Sequence, residues 1–180
     1  MAETLEKVYA SALYELCCEE DSLQNVYDEF ISVVEIFDAN EDFVKLLSSP
    51  LIDNVDKDDI LNKTFGGKIS DLFLNFLCLL SDKGRAEYYN GIFAEFKSMY
   101  NAKMNILDVK VTTTEKMSEK IKQKLVEKLE KVTGKNVVID EKIDKSLLGG
   151  IVVKYDNTEI DSSVKSKLDK LKRQIDSIIA

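Results

Sequence analysis

The chain has 180 residues, of which 44% are hydrophobic and 32% charged, and its net charge is −8. That composition supplies enough apolar material for a globular core and excludes a mainly disordered chain. Histidine is absent, which removes the usual general base, the commonest metal ligand and any Ser-His or Cys-His pair, and no apolar run approaches the roughly 20 residues of a bilayer span.

The opening residues, Met1 to Tyr9, lack an apolar signal core or an Arg-rich transit pattern, so the chain is expected to be made in a cytosol and to stay there. Leu5, Val8, Tyr9, Ala12, Leu13 and Leu16 recur at helical spacing and predict a first helix that buries a stripe. A second follows Asp21 and Ser22, either of which can cap it, with Leu23, Val26, Tyr27, Phe30, Val33, Val34 and Phe37 as its apolar face. "NEDFVKLLSSP" predicts a short helix stopped by Pro50, the only proline, and "DKDDILNKTFGG" another with acids in its first turn and glycine at its end. In "ISDLFLNFLCLLSDKGR", nine of the twelve residues from Ile69 to Leu80 are apolar. A helix apolar nearly all round must be covered on more than one side, either wholly by its own bundle or partly by an apolar helix from a partner. Gly84 ends it, and "RAEYYNGIFAEFKSMYNAK" predicts a last helix through Tyr89, Ile92, Phe93, Phe96 and Tyr100. About six helices on short loops make a helical bundle.

Near Asn105 the period changes from 3.6 to 2. Leu107, Val109, Val111 and Thr113 alternate with Asp108, Lys110 and Thr112, as in a strand with one buried face. A helix follows with Met117, Ile121, Leu125, Leu129 and Val132 on one face and Gly134 at its end; "NVVID" and "GIVVKY" are further strands. A final helix, capped by Asp161 or Ser162, is expected to bury Val164, Leu168, Leu171 and Ile175. The fold class is therefore α+β: a six-helix bundle over residues 1–105, then a small α/β domain over 106–180 with a three- to four-stranded sheet and two helices. Residues 1–105 hold 20 acidic and 9 basic side chains, a net −11, whereas 106–180 hold 13 and 16, a net +3. Such asymmetry predicts two domains facing different partners, and the acidic half argues against a nucleic-acid surface there.

Candidate chemistry is thin. Cys17, Cys18 and Cys78 form no C-x-x-C pair, and their odd number argues for reduced, buried thiols. Asp56, Asp58 and Asp59 fall in one predicted first turn, Glu19, Glu20 and Asp21 at a helix boundary, so they read as capping or solvated charges with no metal-binding spacing. The lysines from Lys116 to Lys131 are interleaved with glutamates, a mixed face that serves solubility or, as the lesser alternative, an acidic partner or RNA. Gly149 and Gly150 do not make a phosphate loop, because Ile151, Val152 and Val153 follow where a lysine, a hydroxyl and a helix are needed. They read as a joint, where a backbone free of Cβ lets a strand approach a helix closely. No catalytic residue, metal or cofactor is expected.

"YASALYELC" near the N-terminus, "LLSSPLI" from Leu46, "DKGRAEYYNGIFAEF" from Asp82 and "KIDKSLLGGIVVKYDNTEIDSSVKSKLDKL" together resemble the delta subunit family of F-type ATP synthases, whose mitochondrial member is the oligomycin-sensitivity-conferring protein. In the last stretch Ile143, Asp144, Leu148, Gly149, Gly150, Val153, Ile160, Asp161, Ser163, Val164 and Leu168 fit the family pattern together, while Ser162 and Ala86 stand where the family often has glycine and leucine. The resemblance implies a non-catalytic peripheral-stalk subunit that joins the catalytic head to the b-subunit stalk and resists rotor torque. It is implied to sit on the cytoplasmic face of a bacterial membrane, held only through the complex. The bundle would grip the N-terminal helices of the alpha subunits, and the C-terminal domain the C-terminal region of the b subunit. The family's groove lies between its first and fifth helices, which implicates Tyr9, Ala10, Leu13, Phe76, Leu77 and Leu80 in partner binding; Leu77→Asp is then expected to abolish binding and leave the bundle folded. Gly149, Gly150 and Asp161 are expected to be structural. A helical RNA-binding adaptor, with the basic half as its footprint, is the alternative.

Overall fold

Thr4 starts the first helix: its extended backbone leaves the side chain free to accept the Lys7 N–H at 3.4 Å. The computed structural model describes residues 4–155 and 158–170, and the chain divides into two units, Met1–Tyr100 and Asn101–Ala180.

The first unit is built from α1 (Leu5–Glu19), α2 (Leu23–Ala39), α3 (Glu41–Ser48), α4 (Asn54–Phe65), α5 (Asp71–Asp82), a one-turn 3₁₀ segment (Ala86–Tyr88) and α6 (Tyr89–Lys103). Its centre is Phe30 on α2, whose ring lies 4.9 Å from Phe73, 6.4 Å from Phe76, 5.0 Å from Phe93 and 5.7 Å from Phe96. Four rings tilted or edge-on around one, from α5 and α6, bury far more area per residue than aliphatics could, and their angles avoid face-to-face repulsion. At one end Tyr27 stacks on Tyr100 at 3.9 Å, and the Tyr100 hydroxyl donates to Gln24. At the other, Tyr89 packs edge-on against Phe37 and its hydroxyl donates to Asp38 at 2.5 Å; burial first, then that carboxylate, pushes the phenol up to about 12. The α5 N-terminus is held from α2, where the Glu29 carboxylate accepts both the Ser70 N–H at 2.9 Å and the Ser70 Oγ–H at 2.7 Å. Those charge-assisted bonds satisfy donors at a helix start and fix where α5 begins.

One expectation for α1 is overturned. Its buried residues are Ala10, Leu13 and Cys17, whereas Val8, Ala12 and Leu16, read as part of the buried stripe, face outward. The helix carries two adjacent apolar ridges, and only one is covered by its own bundle.

In the second unit β1 (Ile106–Thr113) runs to α7 (Glu119–Thr133), β2 (Asn136–Ile143), a short 3₁₀ turn (Lys145–Leu147), β3 (Ile151–Tyr155) and β4 (Thr158–Asp161), with a last helix, α8, described over 164–170. The strand order is β2-β1-β3-β4. β1 and β2 are parallel, joined by the α7 crossover; β1–β3 and β3–β4 are antiparallel. The alternation in β1 sends Leu107, Val109 and Val111 to one face, where they meet Val153 and Leu129, with Met117, Leu125, Val137, Ile139, Ile151 and Tyr155 packed around them. Gly134 ends α7 in the left-handed region at φ 67°, its N–H donating to the Glu130 carbonyl.

Several details differ from expectation. Ile121 and Val132 are exposed, so the covered stripe of α7 is narrower than the sequence pattern. β2 continues to Ile143, and the short strand β4, with every residue exposed, has no hydrophobic alternation to mark it. Val164 and Leu168 are exposed rather than buried, and Leu171 and Ile175 lie outside the described residues. The cap of α8 is Ser163, whose Oγ accepts the Ser166 N–H at 3.2 Å, while Asp161 accepts the Ser163 N–H at 2.8 Å one step earlier. Among the described residues no helix is long and apolar enough to cross a membrane.

Candidate functional site

α5 buries Phe73, Leu74, Phe76, Leu77 and Leu80 but leaves Leu79 45% exposed, and α1 leaves Leu16 48% exposed. Between them runs an open groove of about 450 Å³, lined by Leu13, Leu16 and Glu20 of α1 and by Asp71, Leu72, Asn75, Phe76 and Leu79 of α5. The helices are antiparallel here. Tyr9, near the start of α1, lies edge-on to Phe76 at 6.4 Å and accepts a hydrogen bond at 2.7 Å from Arg85, just beyond the end of α5. The Arg85 guanidinium is also 5.5 Å from the centre of the Tyr9 ring, so one cation locks both parts of that side chain. An apolar floor with polar ends, framed by two helices, is the shape that accepts an amphipathic helix.

The residues expected to grip a partner divide by this geometry. Leu13 and Phe76 line the groove, although little of either is exposed, and Tyr9 sits at its end. Ala10, Leu77 and Leu80 are in the core, Leu77 being only 3% exposed, and none of the three lines the groove. Leu16, Leu72, Leu79, Glu20, Asp71 and Asn75 were not anticipated. The α5 leucines at positions 72 and 79 stand seven apart, which places them on one helix face, and that spacing was the available signal.

The thiols of Cys17 and Cys78 are poor nucleophiles. Burial pushes Cys17 up to about 11, and burial followed by the Asp58 carboxylate pushes Cys78 up to about 12, from an ordinary 9.0. Both stay protonated at neutral pH, and only a thiolate attacks. Near neutrality we therefore expect Cys17 and Cys78 to resist iodoacetamide in the folded chain and to react at the rate of free cysteine in urea, as peptide mapping by mass spectrometry would report. Because the unfolded thiols ionise at lower pH than the folded ones, stability is retained below about pH 9 and falls above it. Among the described residues no cluster of three or more His, Cys, Asp or Glu could hold a metal.

The glycine pair sits where the second unit is tightest. Gly150 has φ +86°, and a Cβ there would fall 2.5 Å from the Ser162 carbonyl oxygen and 2.9 Å from the Ser163 Cα. The Val164 N–H donates to the Gly149 carbonyl and the Ser162 N–H to that of Ile151, both at 2.9 Å, tying the entry of β3 to the start of α8. Asp161 completes the joint, and its hydrogen bonds to Ser163 hold its carboxyl below the usual carboxylate range. β3, not a helix, follows the pair, so these glycines do not form a helix-borne phosphate cradle.

The first unit thus carries a helix-sized apolar groove, and the second a tight backbone joint at its glycine pair. The family model described as "ATP synthase delta (OSCP) subunit" matches residues 5–175, and the chain belongs to that family. It is 34% identical over 181 residues to the ATP synthase subunit delta of Clostridioides difficile, covering 100% of both chains. It is 36% identical over 167 residues to the "ATP synthase subunit delta, sodium ion specific" of Ilyobacter tartaricus, covering 93% of this chain and 95% of the relative. Among solved structures, a chain of the Toxoplasma gondii mitochondrial ATP synthase hexamer superposes with a TM-score of 0.77 at 25% identity, covering 96% of this chain and 98% of that one. These matches leave the RNA-binding alternative without support.

Proposed function

We propose that this chain is a stator subunit of a bacterial F-type ATP synthase whose α1–α5 groove seats an N-terminal helix of an alpha subunit, while its second unit holds the C-terminal region of the b subunit. As a non-catalytic member of the peripheral stalk it joins the catalytic head to that stalk and resists the torque of the rotor. Its place is then the cytoplasmic face of the membrane, peripheral and held through the complex alone. The observation that carries the alpha-binding reading is the exposure of Leu16 and Leu79 on either side of one apolar groove. Isolated exposed leucines need no explanation, but paired ones flanking a groove mark a docking surface.

The test is calorimetric titration of the full chain with a synthetic peptide of the cognate alpha subunit's N-terminal segment. The wild type should bind one peptide. The double variant Leu16→Asp, Leu79→Asp should melt at an unchanged temperature and bind at least about 30-fold more weakly, roughly the loss of 2 kcal/mol of apolar contact. A wild type that is folded and does not bind would overturn the reading.

A further inference from the structure

The groove is electrically one-sided. Because α1 and α5 run antiparallel, Glu20 at the end of α1 and Asp71 at the start of α5 line the same end of it. Both are exposed, and among the described residues neither carboxylate is in an ion pair. The last turn of α1 has no basic residue, and Lys68, a few residues before Asp71, donates to the Thr64 carbonyl at 2.8 Å. At the opposite end stands Arg85, already bound to Tyr9. From Leu13 to Glu20 and from Asp71 to Leu79 each wall runs about 10–12 Å at 1.5 Å per residue, the length of two helical turns.

We infer that the groove selects a helix of fixed polarity, one with apolar residues at about i, i+3 or i+4, and i+7 and with one or more Lys or Arg at the end of that stripe, and that Glu20 and Asp71 set its direction by pairing with those cations. The inference rests on the docking function proposed above and adds the charge pattern and direction of the occupant. Two uncompensated carboxylates at the mouth of an apolar channel are solvated in the free protein. They favour a cationic helix end over a neutral or acidic one, and a helix inserted backwards would leave its cations away from them. Charges at a rim act mainly on encounter rate and orientation, so the signature is a salt-dependent affinity.

The same alpha-subunit peptide is titrated at low and high salt into the wild type and into Glu20→Gln, Asp71→Asn and the double variant. Neutralising Glu20 removes a negative charge from a helix C-terminus, which the helix dipole tolerates or favours, so that variant should fold as well as the wild type. The double variant should bind about 5-fold more weakly at low salt, with the difference vanishing at high salt. Replacing the peptide's basic residues by Gln at one end of its apolar stripe should reproduce that loss and add nothing to the double variant. The same change at the other end should leave affinity unaltered. Wild-type binding that is abolished by Leu16→Asp, Leu79→Asp yet is indifferent to salt and to Glu20 and Asp71 would overturn this inference and leave the docking function standing. A wild type that binds no peptide would overturn both.

Discussion

Gly150→Asp is expected to leave the second unit unfolded at room temperature while the helical signal of the first persists. The added Cβ would meet backbone on two sides, 2.5 Å from the Ser162 oxygen and 2.9 Å from the Ser163 Cα, and backbone cannot rotate away as a side chain can. A left-handed conformation costs a non-glycine residue about 1–2 kcal/mol. Relieving the contact means drawing β3 away from α8, with the loss of two hydrogen bonds worth about 1 kcal/mol each and of the packing they hold. A domain of some 80 residues has roughly 3–5 kcal/mol of stability to lose. Gly150→Ala should do most of the same damage, since the backbone is met by the Cβ itself. Circular dichroism with urea titration, and limited proteolysis mapped along the chain, would show the loss. A variant that melts as the wild type does would mean that the joint can open without consequence.

Leu77→Asp should unfold the first unit rather than merely weaken docking. The side chain is 3% exposed on the inner face of α5, so the substitution removes about 2–3 kcal/mol of apolar burial and places a carboxylate where no partner awaits it, at a cost of several kcal/mol more. Together these approach the whole stability of a typical domain, about 5–15 kcal/mol. Two residues along the same helix, Leu79→Asp should leave the melting temperature nearly unchanged, because its side chain is already 45% in solvent. The contrast between neighbours two positions apart is the measurement, made by thermal denaturation of both variants side by side. Equal stability would mean that α5 is rotated from the orientation described.

These two positions also show where the sequence is legible. The bundle, the change of period at Asn105, the crossover helix and the small sheet follow from patterns that physical periodicity imposes, and Leu23, Val26, Phe30, Val33 and Phe37 of the expected α2 face are all buried. The facing of α1 and α5 is not legible in the same way. Apolar spacing marks every apolar residue of a helix alike, so it does not separate a ridge covered by the chain's own bundle from one awaiting another molecule. On spacing and resemblance Leu16 belongs to the core and Leu77 to the partner, whereas in the fold Leu16 is exposed and Leu77 is buried. An apolar groove does lie between the two helices to which the resemblance points, but the exposed leucines and the carboxylates Glu20 and Asp71 that line it emerge only once the helices are packed. β4 is illegible for a different reason. Its four residues are all exposed, and its ladder to β3, from Val152↔Asp161 to Tyr155↔Thr158, depends on backbone pairing that composition does not report.

The position of β1 has a mechanical meaning. It is the first strand after α6 and the inner partner of two ladders, paired over eight residues with β2 and over five with β3. A pull transmitted along the chain into Ile106 acts along the strand, across hydrogen bonds that lie roughly perpendicular or slanted to it. Such a load shears both ladders at once and must break many bonds together, whereas an edge strand pulled from one end would peel open bond by bond. With β1 clamped on both sides, the small sheet resists a pull along that strand better than a pull on either of its edge strands, β2 and β4.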